Sequence, residues 1–124
     1  MLTKQQLNLL TFLDEYMGEH SIAPTFDEMK NAFGSHPLVG EVRGDGMLSS
    51  LEFLENKDNL KFFDPAKKIG MQVSTNLLKE GVIGRAMPHG DILGFAPPLC
   101  LSKSEVNIIV ASLKKSIDST FSNI

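Results

Sequence analysis

The chain has a single cysteine, Cys100, in 124 residues. That excludes an internal disulfide framework and points to a reducing compartment, with the cytoplasm as the expected location. Only two arginines occur, Arg43 and Arg85. No apolar run approaches the roughly 18 residues that a membrane-spanning helix needs. No glycine-rich phosphate loop, repeat or low-complexity tract is present. The three histidines, His20, His36 and His89, stand far apart and form no HxxxH or CxxC-type spacing, so no metal site is expected. The length admits one ordinary domain or two very small ones, and excludes a large enzyme with its own cofactor crevice.

Apolar residues make up 42% and charged residues 22%, a globular balance. The net charge of −3 is unevenly placed. Residues 1–34 hold two lysines against five acids and carry the whole imbalance, whereas the remainder is neutral. A segment of that sign lacks the basic footprint of a nucleic-acid or anionic-membrane surface. The shift also marks a boundary near Gly34.

Thr3 and Gln6 form a capping-box pattern ahead of Leu9, Phe12, Leu13, Tyr16 and Met17, which share one helix face. Gly18 to Ser21 loosens that helix. Pro24, then Thr25 with Glu28, starts a second helix over Met29, Ala32 and Phe33, stopped by Gly34. This second helix is too short to persist without packing, and the first is its expected partner. Residues 3–34 therefore read as a helical hairpin.

After Gly34 the texture changes. Short strands are expected at Val39–Arg43 and Met47–Leu54, around a turn at Gly44-Asp45-Gly46, and a further short one at Lys61–Phe63. Asp64-Pro65 opens a helix with Ile69, Val73 and Leu77 at i, i+4, i+8, ended by Gly81. Val82–Met87 and Ile92–Phe95 are strand-like, joined through Pro88-His89-Gly90-Asp91. Ser102 and Glu105 make another capping box before a long helix bearing Val106, Ile109, Val110, Leu113, Ile117 and Phe121. The fold class is α+β: an N-terminal helical hairpin, then a small antiparallel sheet covered on one face by two helices. Cys100, with no activating base nearby, reads as a small core residue. Arg43, Gly44 and Gly46 read as structural, the arginine bracing the turn.

Two family resemblances divide the chain. Leu2-Thr3-Lys4-Gln5-Gln6 with Pro24-Thr25-Phe26-Asp27-Glu28-Met29-Lys30 resembles the start of the LexA repressor family. That likeness implies the first two helices of a winged helix-turn-helix, residues 1–34. The family's third helix reads bases in the major groove. Here Pro37 and Gly40 interrupt the place where it would begin, and no basic wing follows, so DNA is not the expected partner.

His36-Pro37-Leu38-Val39-Gly40-Glu41-Val42-Arg43-Gly44, Leu51-Glu52-Phe53 and Gly84-Arg85-Ala86-Met87-Pro88-His89-Gly90-Asp91-Ile92-Leu93-Gly94-Phe95-Ala96-Pro97-Pro98-Leu99 resemble the C-terminal small domain of class-III aminotransferases, in the omega-aminotransferase branch. The likeness covers residues 35–124. It implies amino-group transfer from an amine or amino acid to a keto acid such as pyruvate, with pyridoxal phosphate as cofactor of the parent family. It also implies a substrate-binding role for Arg85: in the family an arginine in this stretch swings in to pair with a substrate carboxylate. A guanidinium suits that task because its planar fork meets both carboxylate oxygens. The turn between Arg85 and Gly90-Asp91 is longer here than in some members.

The Schiff-base lysine, the acid on the pyridine nitrogen and the phosphate cup belong to the family's large domain, and no lysine of this chain lies in a matching motif. The resemblance thus implies a fragment that neither binds the cofactor nor transaminates alone, with no catalytic, cofactor-binding or metal-ligating residue of its own. A homodimer or an aminotransferase subunit is the partner implied. Two alternatives stand beside it: a LexA-like DNA-binding module and a non-catalytic interaction protein.

Overall fold

The computed structural model describes residues 1–20 and 25–123; the side chains of residues 13–20 and of Thr25 lie outside the description. The expected roles of Leu13, Tyr16, Met17, His20, Pro24 and the Thr25–Glu28 capping box therefore fall outside the described residues.

Among the described residues there are four α-helices and four strands: α1 (Lys4–His20), α2 (Thr25–Phe33), β1 (Val39–Asp45), β2 (Leu48–Phe53), α3 (Ile69–Lys79), β3 (Arg85–Ala86), β4 (Ile92–Phe95) and α4 (Lys103–Ser122). The strands form one open antiparallel sheet in the order β1-β2-β4-β3, so the class is α+β.

Local signals that need only a few consecutive residues hold closely. At the start of α1 the Thr3 backbone N–H donates to Gln6 Oε1 at 2.9 Å, and the Gln6 N–H to Thr3 Oγ1 at 3.2 Å. The Ser102–Glu105 box is formed in the same way at the start of α4. Gly46 turns the β1–β2 hairpin with φ of 56°, a left-handed conformation that glycine adopts at no steric cost.

Four expectations are corrected. The helix expected from Asp64 is a short 3-10 turn over Pro65–Lys67, capped by Asp64, and α3 begins only after Lys68 takes a left-handed conformation. That reversal lets Ile69, Val73 and Leu77 all bury fully. Lys61–Phe63 forms no strand: Lys61 makes a single bridge to Asn56, and Phe63 leaves it to enter the core. Val82–Met87 contributes only Arg85 and Ala86 to the sheet. Cys100 is exposed, and its neighbour Leu101 takes the inward place beside Met47 and Val106.

The core lies between one sheet face and three helices rather than two. Leu51, Phe53, Leu93 and Phe95 alternate inward from β2 and β4 and meet Val73 and Leu77 of α3 and Leu113 and Ile117 of α4. The third cover is α2, whose Met29 and Phe33 lie in this same core and pack toward β1, β2 and α4. Its partner is thus the sheet, whereas residues 1–12 are exposed throughout. An ion pair between Lys103 and Glu28 clips the start of α4 to α2.

The inward face of β2 includes Ser49, 5% exposed, whose hydroxyl has no hydrogen-bond partner among the described residues. A buried hydroxyl left unpaired retains its desolvation cost. Ser49→Ala is expected to raise stability by about 1 kcal/mol, measured as a higher urea midpoint with unchanged slope.

Candidate functional site

Arg85 stands on β3, a two-residue edge strand, and its position is set by what flanks it. Gly84 is buried where an added Cβ would lie 2.9 Å from Leu77, 3.1 Å from Leu93 and 3.2 Å from Phe95. Its carbonyl accepts a hydrogen bond from Ser74 Oγ of α3 at 2.7 Å. The backbone is therefore pressed against α3 one residue before the arginine. On the other side Arg85 pairs with Gly94 and Ala86 with Leu93. The Met87 N–H donates to the Ile92 carbonyl at 2.9 Å and closes the ladder.

The loop between β3 and β4 is tied down at Asp91. Its Oδ1 accepts from the Gly70 N–H in the first turn of α3 at 2.9 Å, and its carbonyl from the Phe53 N–H at 2.8 Å. A carboxylate at a helix N-terminus meets unpaired backbone donors and the positive end of the helix dipole. Gly70 permits this approach, since a Cβ there would sit 3.3 Å from Asp91 Cα. His89 and Gly90 remain exposed at the tip.

The two arginines are in opposite electrostatic states. Arg43 Nη1 lies 2.9 Å from both Glu41 and Glu52, which oppose each other across β1 and β2. Partial burial works against its charge, but hydrogen bonds to Glu52 and Glu41 hold its pKa above the ordinary arginine value. Like charges directly opposed would repel, and Arg43 relieves that repulsion. It braces the hairpin, as the sequence suggests. Arg85 is exposed and, among the described residues, makes no ion pair and no side-chain hydrogen bond. Among those residues its guanidinium fork is uncommitted.

Ser74 and Asp91 have no site role in the sequence reading. Their partners lie 10 and 21 residues away, and no local pattern announces either contact.

The described residues do not by themselves fit a pyridoxal phosphate site. Every lysine is exposed except Lys57, which is partly buried and donates to the Gly34 carbonyl at 2.8 Å. Two surface depressions, of about 430 and 320 Å³, are lined by residues that do not include Arg85. Among the described residues no cluster of His, Cys, Asp or Glu could hold a metal ion, and no helix is long and apolar enough to cross a membrane. His36 serves locally, accepting from the Leu38 N–H at Nδ1.

No family model matches the chain. Individual proteins do. It is 50% identical over 92 residues to the uncharacterised aminotransferase y4uB of Sinorhizobium fredii, covering 74% of this chain and 20% of that protein. It is 48% identical over 92 residues to the diaminobutyrate–2-oxoglutarate transaminase of Halomonas elongata, with the same coverages. Among solved structures, a transaminase from directed evolution by ancestral reconstruction superposes with a TM-score of 0.78 and 53% identity over 81% of this chain and 22% of that one. The PMP-bound aminotransferase of Vibrio fluvialis superposes with a TM-score of 0.76 and 26% identity, over 89% of this chain and 24% of that one. These homologues and structural neighbours are class-III aminotransferases, a pyridoxal-phosphate-dependent family, and the chain matches only a fragment of them. It spans about a fifth of the length of the curated relatives it matches.

Proposed function

We propose that residues 35–124 are the C-terminal small domain of a class-III aminotransferase, and that Arg85 is its substrate-carboxylate partner. The reaction served is amino transfer between an amine or amino acid and a keto acid such as pyruvate. The observation that carries this reading is the unpaired guanidinium of Arg85 on a strand otherwise fixed by Ser74, Asp91 and β4. Pyridoxal phosphate is the cofactor of the parent family; the partner is a homodimer or an aminotransferase subunit, and these 124 residues alone neither bind the cofactor nor transaminate. Residues 1–34 are read as a LexA-type helix pair without its recognition helix: residues 35–38 turn directly into β1. That supports a partner other than DNA. The single, exposed Cys100 supports a cytoplasmic location.

The test is a hybrid. The matching segment of the Halomonas diaminobutyrate transaminase is replaced by residues 35–124 of this chain. The hybrid is expected to transaminate. Arg85→Gln in the hybrid is expected to lower kcat/KM for the amino-acid donor by about 10- to 100-fold, the worth of a charge-assisted bidentate contact. Donors lacking a carboxylate should be unaffected. Equal kcat/KM for carboxylate donors with and without Arg85 would remove the assignment. Added to the 124-residue chain alone, pyridoxal phosphate should give no new visible absorbance, and its appearance would overturn the fragment reading.

A further inference from the structure

Thr11, Thr75, Ser116, Thr120 and Ser122 each donate a hydroxyl to the carbonyl four residues back in their own helix. That is the common fate of a serine or threonine on a helix. Ser74 departs from it. Its half-buried Oγ leaves α3 and donates to the Gly84 carbonyl at 2.7 Å, on the residue before Arg85. A hydroxyl has one proton to give, so this bond replaces the one to the Gly70 carbonyl.

What the bond governs is the direction of Arg85. β3 is two residues long and lies at the edge of the sheet, paired with β4 on one side only. So short a strand does not hold its own geometry. The Gly84 carbonyl and the Arg85 N–H belong to one rigid peptide plane. Ser74 fixes that plane from the α3 side. The other end of the segment is held by the same helix, where Asp91 Oδ1 accepts from the Gly70 N–H. Gly70 and Ser74 stand four residues apart on one face of α3. A single turn of α3 therefore clasps residues 84–91 at both ends. The anchor at Asp91 lies six residues from Arg85, whereas the anchor at Ser74 lies one peptide bond away.

We propose that Ser74 is a positioning residue for substrate recognition. Its hydroxyl holds the Gly84–Arg85 peptide so that the guanidinium presents its fork to the substrate carboxylate. The proposal rests on the reading of Arg85 as the carboxylate partner. A bidentate contact needs two N–H groups aligned together, and an arginine on a loose backbone must be ordered at the moment of binding. Ser74 thus favours donors that bring a carboxylate to Arg85 and does nothing for donors without one.

The hybrid with the Halomonas transaminase reads this in activity. Ser74→Ala should raise KM for a carboxylate-bearing donor by about three- to tenfold with kcat nearly unchanged, the pattern of a binding contact held out of place. An uncharged amine donor should be unaffected. Ser74→Thr keeps the hydroxyl and should restore most of the loss. Added to Arg85→Gln, Ser74→Ala should cost nothing more, because both act through one contact. The full 124-residue chain gives a readout without activity. By NMR relaxation the Arg85 amide should have an order parameter of about 0.85, falling toward about 0.6 in Ser74→Ala, with Leu93 of β4 unchanged. If Arg85→Gln impairs carboxylate donors and Ser74→Ala does not, this proposal falls and the reading of Arg85 stands. If Arg85→Gln changes nothing, both fall. Equal losses for charged and uncharged donors, or an Arg85 amide as rigid without the Ser74 hydroxyl as with it, would also overturn the proposal.

Discussion

Gly44→Ala is expected to destabilise the chain by about 2–4 kcal/mol, a cost of the size seen when a side chain is forced into occupied space at a special backbone position. Gly44 pairs with Ser49 near the turn of the β1–β2 hairpin. A Cβ added there would lie 2.1 Å from the Leu48 carbonyl oxygen and 2.9 Å from Ser49 Cα. Both are backbone atoms, so no rotamer change relieves the clash. The two strands must separate, and β2 is the strand that carries Leu51 and Phe53 into the core. Gly46→Ala supplies the internal comparison. Nothing lies within 4 Å of its added Cβ, and only the left-handed φ of 56° is penalised. That penalty is about 1–2 kcal/mol. Urea unfolding of the two variants checks both the size and the order. Equal losses would mean that backbone strain alone, and not the close strand approach, sets the requirement for glycine at position 44.

The contrast between these glycines also marks how far the sequence is legible. That the chain turns near Gly44-Asp45-Gly46 follows from composition alone, but Gly44 and Asp45 belong to β1 and the turn itself is Gly46-Met47. Which glycine is indispensable depends on Leu48 and Ser49 across the hairpin, and is visible only once the strands are paired. The helices divide in the same way. The faces of α3 and α4 are readable because 3.6-residue periodicity is a local property, and Ile69, Val73, Leu77, Val106, Leu113 and Ile117 are all buried. The partner of α2 is not readable from periodicity, which identifies a face and not what the face meets. Met29 and Phe33 pack on the sheet and α4 instead of being reserved for α1. The break at Lys68 is illegible for another reason: the left-handed residue is a lysine, where glycine or asparagine would have announced it. The inward place falls one residue past Cys100, since Leu101 competes for the same pocket and is the more apolar of the two. At the site, Arg85 stands out through family likeness and not through chemistry, because one exposed arginine has no pattern. Its supports, Ser74 and Asp91, act through a backbone carbonyl and a helix terminus that only the tertiary structure brings near.

Phe53→Ala is expected to cost about 3–5 kcal/mol, the range for removing a fully buried aromatic ring. Phe53 has no exposed surface. Its ring meets Phe121 of α4 edge-on, with centroids 6.1 Å apart. Phe121 in turn stacks on Phe63 at 5.8 Å and lies 6.3 Å from the His36 ring. One truncation therefore leaves a cavity shared by β2, the segment before α3, the turn after α2 and the last turn of α4. The residue is also tied to the candidate site, since its N–H donates to the Asp91 carbonyl while Asp91 Oδ1 caps α3. The backbone bond survives the substitution, so the loop between β3 and β4 should stay attached as long as the chain folds. The expected result is a large fall in the urea midpoint, with native-state hydrogen exchange speeding at the end of α4 more than at the Gly70 amide. Phe53→Leu, which keeps most of the volume, should recover more than half of the loss. Were Phe53→Leu as damaging as Phe53→Ala, the edge-on aromatic contact rather than filled volume would be what holds α4 to the sheet.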